Sequence, residues 1–158
     1  MSDLVDAIDA EARGEFAKAL EPYTRLTESE SALDRIGIFQ ALARCNEKLG
    51  HLHEAGVWRR KAGSGYLALA DAEMPRDERT YLALVEYRNA VQDLQGTASL
   101  RDVAKEYAAV LKENFSSGAE GLTHEGLFAG AFFQAQGDHL IASKYYFDTA
   151  EAMSEQAA

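Results

Sequence analysis

The sequence predicts an all-α protein on three observations. Apolar residues recur at helical spacing along most of the chain, helix formers abound while β-branched runs are missing, and glycines sit between the periodic stretches. The apolar period places eight helical segments near 2–12, 15–27, 31–49, 52–73, 76–94, 99–114, 123–136 and 138–154. In the sixth, Leu100, Val103, Tyr107, Val110 and Leu111 share one face, and Ser99 with Asp102 supplies a cap and an acid in the first turn. Pro75 suits the first position of the fifth, because its fixed φ and missing N–H cost a helix nothing there. Turn signals fall at Gly14, Gly50, Gln95-Gly96-Thr97 and Gly137, and the looser stretch from Phe115 to Gly121 reads as a joint.

At 158 residues and 47% apolar content the chain is long enough for one real core and short for two. Its net charge of −10 opposes binding to a phosphate backbone or an anionic membrane surface. Met1 to Glu11 carries acids where a secretory signal would carry bases, and no apolar run approaches the ~18 residues of a membrane span. A single cysteine, Cys45, cannot form an internal disulfide. Together these predict a cytoplasmic protein that inserts in no membrane and binds no nucleic acid.

Three turns repeat: Gly14-Glu-Phe-Ala-Lys-Ala19, Gly50-His-Leu-His-Glu-Ala55 and Gly137-Asp-His-Leu-Ile-Ala142. Four residues beyond each alanine stand Tyr23, Arg59 and Tyr146, and the helices upstream carry Phe39, Leu42, Ala43, Asn46 and Gly126, Ala129, Gly130, Phe133 at matching sites. This register resembles the tetratricopeptide repeat, whose signature pairs a small residue in a first helix with Gly, an apolar residue, Ala and an aromatic around the turn. Ala43 or Gly130 would let the second helix come close, and Ala55 or Ala142 would sit where the backbones nearly touch. The likeness covers 36–62 and 123–150 well and the first hairpin in part, since Pro22 should kink or split its second helix. The third hairpin matches only as a helix pair with a displaced turn. Intervals between the turn glycines exceed the roughly 34-residue tetratricopeptide period. With His53-Glu-Ala-Gly-Val-Trp through Leu69, they resemble the longer-helix relatives typified by soluble NSF attachment proteins. The resemblance implies one domain over 1–158, a right-handed stack of about four antiparallel hairpins (a TPR-like α-solenoid) near 2–27, 31–73, 76–114 and 123–154.

No residue pattern calls for catalysis, a cofactor or a metal. His51-Leu-His53-Glu54 lacks the HExxH spacing that puts two imidazoles on one helical face, and reads as a solvated helix start. Gly63-Ser-Gly65 lacks the preceding strand and following Lys of a phosphate loop, and reads as close helix packing or a bend. Cys45 reads as a quiet core thiol. Ser116 and Ser117 have no nucleophile elbow.

The implied stack lines an inner groove with the first helix of each hairpin. Gln40, Arg44, Glu47 and Lys48 would form one wall, and His124, Leu127, Phe128, Ala131 and Gln134 another. The Lys and Asn clamp that grips a C-terminal carboxylate in chaperone-binding members is missing, its sites being Leu4, Ile8, Ala41 and Arg44. One helix cannot turn Tyr145, Tyr146 and Phe147 all inward, because successive residues are ~100° apart. Tyr145 and Tyr146 are therefore expected on an outer surface that contacts a partner or a second copy of the chain. The sequence predicts a non-enzymatic module or adaptor that binds another protein or peptide. A dedicated chaperone or assembly factor is the alternative, with an enzyme or ligand-binding bundle behind it.

Overall fold

Ser2 opens the first helix by accepting a hydrogen bond from the Val5 N–H at 3.3 Å, and Ser31 opens another by accepting from Asp34 at the same distance. The computed structural model describes residues 2–115 together with Gly130 and Gln134. Its chain order is α1 (Asp3–Ala12), α2 (Phe16–Arg25), a 3-10 turn (Leu26–Glu28), α3 (Ala32–Lys48), α4 (Leu52–Ala68), α5 (Arg76–Asp93) and α6 (Leu100–Phe115). No strand occurs among the described residues. The all-α class holds, and each of these helices lies where the apolar period put it. The chain divides into two units, Met1–Ala104 and Lys105–Ala158.

In the first unit, consecutive helices pack against one another from α1 to α5. α1 and α3 end alike: the N–H beyond the turn glycine reaches back across the last turn, Glu15 to Ala10 O at 2.9 Å and His51 to Asn46 O at 2.9 Å. Both turns need a residue in the left-handed region, which Gly14 (φ 76°) and Gly50 (φ 79°) supply without steric cost. The Arg25 guanidinium at the end of α2 meets Asp3 at the start of α1 at 2.9 Å, so these helices run antiparallel. Ala43 and Ala55 are fully buried, as close packing of α3 on α4 requires.

Pro22 neither splits nor ends α2. The helix continues through it to Arg25 and tightens into the 3-10 turn, with Pro22 and Tyr23 buried. A proline seven residues into a ten-residue helix forfeits one backbone bond, and Tyr23 in the core holds the last turn in place. α4 is shorter than 52–73 because Leu69 turns into extended backbone (ψ 147°). The Glu73 carboxylate then accepts from the Ala70 N–H at 3.4 Å, closing a turn before Pro75, which stands at the N-cap of α5 rather than inside it.

The glycines of α4 are packing devices. A methyl on Gly56 would meet Leu94 of the α5 end at 2.4 Å, one on Gly63 would meet the Tyr87 ring of α5 at 3.0 Å, and one on Gly65 would meet Ile36 of α3 at 2.8 Å. The Gly63-Ser-Gly65 motif is thus close helix packing. Cys45 is fully buried, and burial pushes its thiol up to about 11, which makes it quiet. No described helix is long and apolar enough to cross a membrane. In the second unit, Tyr107, Val110 and Leu111 of α6 are buried, in keeping with the shared face read from the sequence. Gly130 is helical and buried, and Gln134 is helical and exposed.

Candidate functional site

α1 is ten residues long and buries only Ala7, so its larger apolar side chains have no cover on that helix's other faces. Leu4 and Ile8, one turn apart, instead line a cleft of about 400 Å³ with Leu33, Gly37, Ala41 and Arg44 of α3. Asp34 and Ile38 of α3, with Tyr23, Leu26 and Ser29 from α2 and the turn after it, complete the lining. Three of the apolar members stay wet, Leu4 at 45% exposed, Ile8 at 52% and Leu33 at 42%, over a floor of buried Ile38 and Ala41. Exposed apolar side chains scattered singly are ordinary, whereas three around one concavity mark a contact surface.

The two ends of the cleft differ in charge. At the end formed by the last turns of α1 and α3, Arg44 donates to Glu11 through Nε at 2.9 Å and Nη2 at 3.2 Å, and the Tyr23 hydroxyl donates to Glu11 Oε1 at 2.7 Å. The Arg44 hydrogen bond holds the Glu11 carboxyl below its usual range, and burial with the Glu11 contact raises the Tyr23 phenol. These three groups satisfy one another. At the other end stands Asp34, whose side chain makes no ion pair among the described residues.

A second polar group lies on the opposite flank of α3. Arg59 of α4, its side chain 13% exposed, donates to Glu47 of α3 at 2.7 Å and to Glu86 of α5 at 3.2 Å. The Gln40 amide donates to the other Glu86 oxygen and to the Tyr66 hydroxyl, each at 2.9 Å. Burial and the Glu47 carboxylate push Asp93 of α5 up to about 7, so it stays protonated well above the ordinary range. Burial acts against ionisation of Glu47 too, but Arg59 and the Asp93 proton hold it low. Arg59 Nε and one Asp93 oxygen remain buried without a hydrogen-bond partner. The network clips three helices together.

Of the wall read from the sequence, Arg44 lines the cleft and Lys48, one turn on, is exposed. Gln40 and Glu47 share α3 with them but lie on its α4/α5 side, engaged in the network, because residues at 37, 41, 44 and 48 follow one helical stripe and 40 and 47 another. Gln134 is exposed on a helix. His124, Leu127, Phe128, Tyr145 and Tyr146 lie outside the described residues, as does the hairpin at 123–154 apart from Gly130 and Gln134. Sequence reasoning missed Leu33 and Gly37, and it named Leu4 and Ile8 only as absent clamp sites. Arg59 carried a usable signal: it is the arginine at a register position where the other two turns have tyrosine.

No protein-family model, curated protein or solved structure matches the chain significantly.

Proposed function

We propose that the chain is a non-enzymatic interaction module, a tetratricopeptide-like stack of helical hairpins that holds a segment of a partner protein in the cleft between α1 and α3. The observation that carries this reading is the exposure of Leu4, Ile8 and Leu33 around one concavity. Binding gains most from apolar groups that a partner desolvates, and these side chains are half wet in the free chain. Catalysis asks for convergent polar groups free to act on a substrate, while Arg44, Glu11 and Tyr23 are bound to one another.

The test compares what the tagged chain and its Leu4→Asp/Ile8→Asp variant retain from cells that make it, after circular dichroism shows equal helix content. Both positions are exposed, so the variant should fold. The parent should retain a protein in near-stoichiometric amount that the variant loses. Equal retention by both would remove the cleft from the reading, and reproducible turnover of a substrate by the purified chain would remove the non-enzymatic part.

A further inference from the structure

The glycines of residues 2–115 fall into three kinds. Gly14, Gly50 and Gly96 occupy the left-handed region, and Gly56, Gly63 and Gly65 face neighbours that a methyl would strike. Gly37 does neither: it sits in mid-helix with no positive φ, and a Cβ there would meet nothing within 4 Å. A glycine inside an exposed helix costs about 1 kcal/mol relative to alanine, and no contact among the described residues offsets that cost here. What Gly37 does is leave the α3 backbone bare at the middle of the cleft, between Leu33 on one side and Ala41 on the other. Bare backbone between small and apolar residues is what a second helix needs to approach closely.

We infer that the occupant of the cleft is one amphipathic helix of a basic partner protein, crossing α3 at Gly37 with cationic side chains toward Asp34. This rests on the interaction reading above and names the partner's chemistry. Leu4 and Ile8 form one apolar ridge a helical turn apart and Leu33 stands across from them, so a helix with an apolar stripe can contact both sides at once. Charge sets the sign of the partner. Arg44 is neutralised by Glu11, whereas Asp34 makes no ion pair among the described residues and is close in sequence to exposed Glu28 and Glu30, which with it outnumber Arg35, held on the Ser29 and Glu30 carbonyls. A second copy of the chain would bring its own net charge of −10 against this one, which argues for a partner of opposite sign.

The probe is an amidated Leu/Lys peptide of about five helical turns with its leucines on one stripe. It is titrated into the full chain and followed by calorimetry and by the Gly37 amide resonance. Two controls accompany it: a scrambled peptide of identical composition, and one with Glu in place of Lys. The helix should bind at least about tenfold more tightly than either control. Gly37→Leu should weaken it by about tenfold or more, Asp34→Lys by about threefold or more, and Glu54→Lys, an exposed acid on α4, by less than about twofold. Scrambled peptide binding equally well, an unmoved Gly37 resonance, or Gly37→Leu binding like the parent would each overturn the inference; so would preference for the acidic peptide. If the Leu4→Asp/Ile8→Asp variant loses a native partner while this peptide fails, the cleft remains a docking site and only the basic helix is wrong. If the variant loses nothing, the interaction reading itself has failed.

Discussion

The two flanks of α3 are built on opposite rules. Toward α4 and α5, every described glycine of α4 is fitted to a neighbour and a half-buried arginine joins carboxylates from two other helices. Toward α1, large apolar side chains stay half exposed and the one glycine fits nothing. The first flank spends its chemistry on holding the helices together, and the second leaves chemistry unspent. In a chain of plain helices, function is to be sought at groups whose cost no described contact offsets.

Breaking the tight flank should produce the largest effect. Arg59→Met takes the shared cation from the Glu86 and Glu47 carboxylates; removing one member of a fully buried ionic group typically costs ~3 to 5 kcal/mol, and with the Glu47 side chain 28% exposed the cost here should lie at the low end, ~3 kcal/mol. The urea midpoint should fall accordingly. A midpoint within error of the parent would mean that the network is solvated enough to be dispensable. Smaller, and equally confined to this flank, is Gly56→Ala. The new methyl would strike Leu94, which is fully buried, at its branch carbon and at both methyls, so overpacking should cost ~1 to 3 kcal/mol.

Asp93 makes the same flank pH-sensitive. Its carboxyl keeps a proton to about 7 in the folded chain, against the ordinary aspartate value of 3.8 in the unfolded one. As pH rises from about 4 to 7 the unfolded chain gives up that proton first, so stability falls through this window and is flat above it. Glu47 acts in the other direction, lending stability above the ordinary glutamate range that is lost as pH falls through its lowered folded value. Asp93→Asn removes the first effect, while its amide can still donate to Glu47 as the Asp93 proton does. Between pH 5 and 8 the parent should lose on the order of 1 kcal/mol relative to the variant, the half-buried position keeping the figure modest. Parallel pH profiles for the two proteins would show that Asp93 ionises normally.

How much of this could be read from the sequence follows from the range of each signal. Helix ends were legible because a turn glycine acts within a few residues, and Gly14, Gly50 and Gly96 all adopt the positive φ that their turns demand. Pro22 misled because its effect depends on how firmly Tyr23 anchors the last turn of α2, a matter of packing. Arg44 was visible as a groove residue, yet Gln40 and Glu47 on the same helix were not separable from it until α5 brought Glu86 and Asp93 across. Exposure is the least local property of all. Leu4, Ile8 and Leu33 have the spacing of core residues, and it is their exposure among the described helices that makes them a surface.

The smallest effect carries the comparison furthest, because the same substitution should change sign between the two flanks. Gly37→Ala places a methyl in open space on an ordinary helical backbone, so it adds helix propensity without strain. The free chain should gain up to about 1 kcal/mol, read as a rise in urea midpoint with an unchanged slope. Gly56→Ala, measured beside it, should fall. Both variants alter one helix by one methyl, so their difference isolates what lies opposite each glycine. If Gly37→Ala also destabilises, something inside the chain already covers this stripe of α3 and the cleft is not free to receive a helix. A gain in stability joined to weaker binding of the Leu/Lys helix would show that the bare backbone at Gly37 lowers stability and serves recognition.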